Sequence, residues 1–279
     1  MDIKWIGAIG VALGLLTAGA AFAAEDFSDC DLAQKPERLA APGLSVHTGR
    51  LTAGVEIKSV YLFDKGGACA GLAPAACTAA HPVSSRKGGK VWVAFARGTA
   101  SCVLYATRQG MESGWVETAA IKPASTAVNV AGWRGAWERA NGTAQSGASI
   151  TIYSVADFAA AYRKQAASST PDDLFSELDY DPAARSATAS TVGISGESST
   201  RYLDPQGEES ANSGMFIGMA DIADDLLVYS DAKEANRPLH ESDCVLAIFK
   251  DGNALYVSEG GVCAGARAYF YGRYVRSKG

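Results

Sequence analysis

Apolar and polar residues alternate in short stretches along much of the chain, and this period of two predicts β-strands. The stretch 87–96 opens with a Gly-Gly turn and continues as such a strand. Its alternation places Trp92 on one face. The opposite face is predicted to hold Val91, Val93 and Phe95.

Further β-stretches lie on both sides of this strand. Residues 54–64 are rich in β-branched and aromatic side chains, which favour strands. Residues 102–107 and 114–121 are separated by a turn around Gly110. These stretches predict a first β-unit over residues 51–125.

A hairpin is predicted over residues 132–153. Three residues spaced by two share its buried face: Trp133, Gly135 and Trp137. Asn141-Gly142 favours a tight turn, after which Ile150 and Ile152 supply the partner strand.

Residues 244–276 predict an antiparallel meander with turns at Asp251-Gly252 and at residues 259–261. One face of its last strand is small or apolar: Ala266, Ala268, Phe270, Gly272 and Tyr274. The other face alternates cationic and aromatic side chains and ends in an aliphatic one: Arg267, Tyr269, Tyr271, Arg273 and Val275.

The β pattern is interrupted over residues 155–190. A short helix is predicted from Ala156, with Asp157 near its start, and a second over 169–182. The polar stretch 183–199 is expected to be a loop that becomes a strand near Val192. The chain is therefore predicted to be mainly β, with a second antiparallel domain, a meander or small barrel, over residues 130–279.

The first residues have the pattern of a cleavable signal peptide. Lys4 precedes an apolar run, and Ala21-Phe22-Ala23 fits the small-x-small cleavage site, so residues 1–23 are predicted to be removed. No later apolar run is long enough to cross a membrane, and the mature chain is expected to be periplasmic or secreted. Residues 24–50 form an irregular extension, in which Pro36 and Pro42 break any helix.

An exported chain with six cysteines is expected to form disulfides. Cys244 and Cys263 are alone in their half and are predicted to pair. The other four allow three connectivities. We favour Cys69 with Cys77 as a local loop, and Cys30 with Cys102 as a clamp on the N-terminal extension.

The composition argues against several classes of function. A net charge of -5 and a pI near 5.3 disfavour a nucleic-acid partner. His47, His81 and His240 are isolated, lie in predicted loops, and match no zinc or nucleophile motif. Acidic clusters at 172–181 and 221–225 are attributed to a helix end and to a turn. No catalytic residue, metal or cofactor is predicted.

Residues 51–123 resemble a bacterial SH3-like domain. The resemblance rests on Gly-Gly-Lys-Val-Trp-Val, on "CVLYATRQG" and on "SGWVETAAI", and covers about a quarter of the chain. It implies a small bent barrel that binds peptides or cell-wall material in a shallow aromatic groove. The loop between Cys69 and Cys77 departs from the usual pattern of such domains.

The second half resembles a β-rich segment of uncharacterised exported bacterial proteins, which carries no known activity. The shared features are Trp-x-Gly-x-Trp at Trp133 and Phe-x-Gly-x-Tyr from Phe270. The opening is also similar to the start of lipocalin-like barrels, so a small-molecule carrier is a further alternative if the second domain is hollow. The segment 195–202 weakly resembles a Ser-Gly-containing loop of periplasmic lysozyme inhibitors.

Aromatic residues are the remaining candidates for binding. Trp115 is interpreted as core, whereas Trp92 is expected to face outward or into a domain contact. An outward Trp92 beside Tyr105 would form a ligand platform. The stripe from Arg267 to Arg273 is either a partner surface or the second face of a buried sheet. The predicted binding residues are Tyr61, Trp92, Tyr105, Arg267, Tyr269, Tyr271 and Arg273.

These features predict a non-catalytic binding protein of the bacterial envelope whose partner is peptidoglycan peptide or an envelope protein. The alternative is a periplasmic inhibitor or immunity protein that acts on a cell-wall hydrolase.

Overall fold

The computed structural model describes residues 30–40, 44–52, 56–58, 82–84, 89–97, 100–124, 127–143, 146–168, 187–231, 243–261, 263 and 268–278. The predicted signal peptide, the predicted helix 169–182 and the pair Cys69 and Cys77 lie outside these residues, as do Tyr61 and Arg267. Among the described residues, no helix has the length and apolarity needed to cross a membrane.

The described residues form two antiparallel β-structures and one α-helix, which confirms the mainly β prediction. The strands of the first sheet are β1 (His47–Leu51), β2 (Glu56–Lys58), β3 (Pro82–Ser84), β4 (Lys90–Arg97), β5 (Ala100–Ala106), β6 (Met111–Glu117) and β7 (Ile121–Pro123). The second structure contains β8 (Gly135–Arg139), β9 (Ser146–Tyr153), α1 (Val155–Ser168), β10 (Thr191–Leu203), β11 (Glu209–Ala223), β12 (Leu226–Ser230), β13 (Val245–Asp251), β14 (Ala254–Gly260) and β15 (Gly272–Arg276).

The first sheet has the order β3-β2-β6-β5-β4-β1-β7. Its central hairpin joins β5 to β6 through residues 107–110, where the Thr107 hydroxyl accepts hydrogen bonds from two backbone N–H groups of the turn. β1 lies against β4, with His47 opposite Val93. His47 is therefore an exposed strand residue, and its predicted placement in a loop is wrong.

A β-bulge in β4 overturns the predicted faces of this strand. Val93 is opposite Val103, but Phe95 is opposite Cys102, so Ala94 is the extra residue. The shift moves Phe95 from the side of Val93 to that of Trp115, whose ring centroid lies 5.5 Å from that of Phe95. The prediction that Phe95 shares a face with Val93 is therefore wrong, because alternation assumes an unbroken ladder.

The second structure is a closed barrel of eight antiparallel strands, in which β8 to β15 pair in chain order and β15 returns to β8. This settles the predicted alternatives in favour of a barrel over an open meander. The segment 195–202 lies wholly within β10, so its predicted similarity to an inhibitor loop is not one of backbone structure.

The barrel interior is filled by a hydrophobic core rather than left open. Trp133 and Trp137 are both fully buried, and Trp137 lies opposite Ile150. The connection between the two strands is longer than the predicted tight turn at Asn141-Gly142, since β8 ends at Arg139 and β9 begins at Ser146. Bulky rings fit because glycines face inward beside them. A β-carbon at Gly196 would lie 2.3 Å from the Phe216 ring. Side-chain packing of this kind is usual in eight-stranded barrels.

Helix α1 confirms the first of the two predicted helices and covers the outside of the barrel. The Ser154 hydroxyl accepts the N–H of Asp157 and donates to its carboxylate, which is a cap of the Ser-x-x-Asp type. Phe158 is fully buried on β10, where a β-carbon at Gly193 would lie 2.2 Å from it. The Phe158 ring thus fixes the helix on the barrel, because Gly193 has no side chain and leaves room for it.

The first sheet packs on the outer surface of the barrel, and the two share a hydrophobic core. Trp92 and Phe249 are both fully buried, and their ring centroids lie 5.1 Å apart in an edge-to-face arrangement. The Lys90 ammonium group donates to the Asp225 carboxylate at 2.6 Å and to the Lys250 carbonyl at 2.8 Å. Apolar and ionic contacts therefore fix one structure against the other.

The Asp225 carboxylate, which binds Lys90, is positioned by the turn between β11 and β12. Asp224 and Asp225 have φ values of 48° and 61°, which are the left-handed conformations of a two-residue hairpin turn. Aspartate tolerates this conformation better than most residues with a side chain.

Two of the predicted disulfides are present. Cys30 joins Cys102 with a Cα–Cα distance of 5.4 Å, and this bond clamps the N-terminal extension to β5. Cys244 joins Cys263 with a Cα–Cα distance of 4.4 Å, and this bond links the residue before β13 to the segment after β14.

Candidate binding site

A groove of about 820 Å³ lies between the first sheet and the barrel. The first sheet contributes one aromatic and two cationic side chains: Lys90, Tyr105 and Arg108. The barrel contributes Asn141, Asp251, Tyr256 and Arg273. We call this the inter-sheet groove. It brings together Tyr105 and Arg273, which the sequence predicted as binding residues in separate halves of the chain.

Tyr105 forms a largely buried part of the groove wall. Its hydroxyl donates a hydrogen bond to the Glu112 carboxylate at 2.8 Å across the β5–β6 ladder. Burial raises the pKa of the Tyr105 phenol well above its ordinary value, and the neighbouring Glu112 raises it further. The phenol is therefore neutral at physiological pH, and its hydroxyl proton is engaged with Glu112.

The groove carries an excess of positive charge. Arg108 is exposed in the β5–β6 turn and Arg273 is half-exposed on β15. Neither guanidinium group has a hydrogen bond or ion pair with another described residue. Asp251 is the acidic side chain in the described lining of the groove, whereas Lys90 is engaged with Asp225. An anionic ligand, a carboxylate above all, matches this arrangement.

Trp92 takes the second of the two positions predicted for it, a contact between the two structures. It is fully buried against Phe249 and offers no face to a ligand. Trp115 is 5 % exposed and packs against Phe95, as expected for a core residue. The predicted platform of Trp92 beside Tyr105 is not formed, because Trp92 pairs with Leu104 and Tyr105 pairs with Val91, which places the two side chains on opposite faces of the sheet and in different clusters.

The predicted last strand is shorter than expected, because β15 begins at Gly272 and the two tyrosines of the predicted stripe lie before it, while Arg273 on β15 is half-exposed. Tyr269 and Tyr271 are 47 % and 56 % exposed, and their ring centroids lie 5.6 Å apart. Ala268, Phe270 and Tyr274, on the other face, are buried. Of the two predicted alternatives, this exposure favours a partner surface over the second face of a buried sheet.

Sequence reasoning did not identify Arg108, Asn141 or Tyr256 as groove residues. Asn141 and Arg108 lie in turns, where polar residues are common, and Tyr256 lies on the outer face of β14. The available signal of a binding role was the length of the β5–β6 turn, in which Arg108 and Gln109 project past the last paired residues of the two strands.

Among the residues that the structure describes, no three His, Cys, Asp or Glu side chains are grouped so as to hold a metal ion. Comparisons with protein-family models, with curated proteins and with solved structures found no match to this chain.

Proposed function

We propose that this protein is an exported, non-catalytic binding protein of the bacterial envelope, and that its inter-sheet groove binds a carboxylate-bearing peptide of the cell wall. The observation that carries the proposal is the pair of guanidinium groups of Arg108 and Arg273, which face one groove and have no partner among the described residues. Guanidinium groups bind carboxylates by paired, charge-assisted hydrogen bonds.

The walls of the groove support the same assignment. Tyr105 and Tyr256 contribute rings along which an extended peptide can pack, and Asn141 contributes an amide. The groove lies where two fixed β-structures meet, which is a common position for a ligand site. The resemblance of residues 51–123 to bacterial SH3-like domains, and the predicted signal peptide, agree with a cell-wall ligand.

The test is cosedimentation of the mature protein with purified sacculi, together with calorimetric titration of a soluble fragment that contains the stem peptide. Removing one charge-assisted hydrogen-bonding partner costs about 1.5–3 kcal/mol, which is roughly tenfold or more in affinity. We therefore expect Arg108→Gln and Arg273→Gln each to weaken binding at least about tenfold. Arg163→Gln, which removes an exposed charge on α1, is the matched control and should bind as the native protein does.

The outcomes separate the alternatives. If the native protein binds neither sacculi nor the fragment, the cell-wall proposal is wrong, and crosslinking in intact cells then tests for an envelope protein. If Arg163→Gln weakens binding as much as Arg273→Gln, the attraction is a general one between charges and not a property of the groove. Inhibition of an added lysozyme by the native protein would favour the inhibitor alternative.

A further inference from the structure

The segment that carries Tyr269 and Tyr271 lies between β14 and β15 and is not itself part of a strand ladder. We call residues 268–271 the tyrosine strap. Its middle residue, Phe270, is fully buried in the barrel, with its ring centroid 4.8 Å from that of Phe216. The buried Phe270 anchors the strap, so that the tyrosines before and after it point to the outside.

Side chains take the place of a neighbouring strand in holding the backbone of the strap. One carboxylate oxygen of Glu259 accepts the N–H groups of Phe270, at 2.6 Å, and Tyr271, at 3.3 Å. The Tyr269 carbonyl accepts from the Ser198 hydroxyl at 2.8 Å and from Arg139 at 2.9 Å. The Phe270 carbonyl accepts from the Tyr274 hydroxyl at 2.7 Å.

These hydrogen bonds restrict the backbone that carries the rings of Tyr269 and Tyr271. A surface loop usually leaves its backbone groups to water, but here four of them have partners in the protein. The exposed tyrosines are therefore held on a fixed backbone. Such preorganisation lowers the entropy cost of binding a ligand.

A second, smaller groove adjoins the strap. It has a volume of about 360 Å³ and lies between the β5–β6 turn and the barrel, with Tyr271 in its lining. Most of the other lining side chains can form hydrogen bonds: Thr107, Gln109, Glu112, Ser258 and Glu259. The Tyr271 ring therefore lies beside hydroxyl, amide and carboxylate groups.

We propose that the tyrosine strap and this smaller groove form a site for a neutral oligosaccharide. The C–H groups on one face of a pyranose ring form an apolar surface that packs on a tyrosine ring. Its hydroxyl groups need hydrogen-bonding partners at the edge, and the exposed Gln109 and the half-buried Glu112 provide them. The centroids of the two tyrosine rings lie 5.6 Å apart and their planes are tilted by 53°, so each ring can pack against a sugar unit of its own.

A protein partner fits this patch less well. A stable protein interface buries about 800 Å² on each partner and is centred on a cluster of apolar side chains. Among the described residues, the exposed large apolar side chains are Val128, Leu203, Tyr269 and Tyr271. The two tyrosines are in ring contact with each other, and Tyr271 adjoins a groove that is lined by both polar and apolar side chains.

The experiment titrates the mature protein with two neutral probes, the tetramers of β-1,4-linked N-acetylglucosamine and of β-1,4-linked glucose, followed by calorimetry and by tyrosine fluorescence. We expect saturable binding of at least one probe. Tyr271→Ala should weaken it at least about tenfold, whereas Tyr271→Phe, which keeps the ring, should stay within about threefold of the native protein. Leu203→Ala is the control for the loss of an exposed apolar side chain and should have no effect.

The smaller groove shares Thr107 with the inter-sheet groove, but Arg108 and Arg273 line the inter-sheet groove and not the smaller one, so the two sites can be tested separately. Arg108→Gln and Arg273→Gln should leave the oligosaccharide affinity unchanged, even if they abolish peptide binding. The proposal is overturned if neither tetramer binds the native protein at millimolar concentration, or if the double variant Tyr269→Ala/Tyr271→Ala binds as tightly as the native protein. Because both rings are exposed, we expect the double variant to keep the native unfolding temperature, which shows that it folds.

Discussion

Replacement of Phe249 by alanine tests whether the barrel and the first sheet share one core. Phe249 lies on the outer side of β13 and is nevertheless fully buried, because it packs edge-to-face against Trp92 at 5.1 Å between centroids. Phenylalanine-to-alanine changes in protein cores cost about 3–5 kcal/mol. The same change on an outer barrel surface in water would cost about 0.5 kcal/mol or less.

The assay is equilibrium unfolding in urea of the mature protein with intact disulfides, followed by circular dichroism. We expect Phe249→Ala to lower the free energy of unfolding by about 3–5 kcal/mol, and to lower the unfolding temperature by roughly 10 °C for a chain of this size. Two controls bracket the result. Phe270→Ala, within the barrel, should cost a similar amount, and Leu203→Ala, whose side chain is 67 % exposed, should cost about 0.5 kcal/mol or less.

A loss below about 1 kcal/mol for Phe249→Ala would refute the shared core, since it would place this residue with the exposed control. The shape of the transition gives a second criterion. Two structures with a common core are expected to unfold together, whereas two separate transitions in the native protein would show that the contact contributes little.

Two further predictions concern the disulfides and pH. Replacing both cysteines of the pair Cys30 and Cys102, 72 residues apart, should lower the free energy of unfolding by about 4 kcal/mol, and replacing Cys244 and Cys263, 19 residues apart, by about 3 kcal/mol. The difference arises because the longer loop restrains the unfolded chain more. Urea unfolding of the two serine double variants should give this order, and the reverse order would contradict the argument. Burial raises the pKa of the Glu259 carboxyl group above its ordinary 4.5, so the folded state binds the carboxyl proton more tightly than the unfolded state does. The free energy of unfolding therefore falls as the pH rises through the interval above 4.5. Glu259→Gln should remove this contribution to the pH dependence of stability. If the free energy of unfolding falls equally steeply with pH in the native protein and in the variant, the prediction is wrong.

The barrel is the part of the fold that the sequence predicts best. Alternating patterns and turn residues indicate several of its strands, such as β9, where Ile150 and Ile152 face inward. Alternation also places Phe270 and Tyr274 on one face and Tyr271 on the other; in the structure the first two are buried and Tyr271 is exposed. Closure of the barrel does not follow from any one strand, because it depends on the last strand meeting the first.

Alternation fails where the ladder is broken or where both faces are covered. The bulge at Ala94 cannot be recognised from the order of apolar and polar residues, because a bulge does not change that order. It nevertheless moves the Phe95 side chain to the opposite face of the sheet. The run from Val245 to Phe249 has no alternation, and a strand with both faces buried explains it. Together with the placement of Trp92 opposite Val91 and Val93, that run is a sequence signal of the contact between the barrel and the first sheet.

The candidate site depends on this contact more than on any single strand. Tyr105 and Arg273 are 168 positions apart in sequence and belong to different sheets, so no local pattern connects them. They line one groove because Trp92 meets Phe249 and because Lys90 reaches Asp225, both of which fix the position of β4 on the barrel. It follows that weakening this interface should impair the groove without touching its lining, whereas the tyrosine strap, held within the barrel, should keep its geometry.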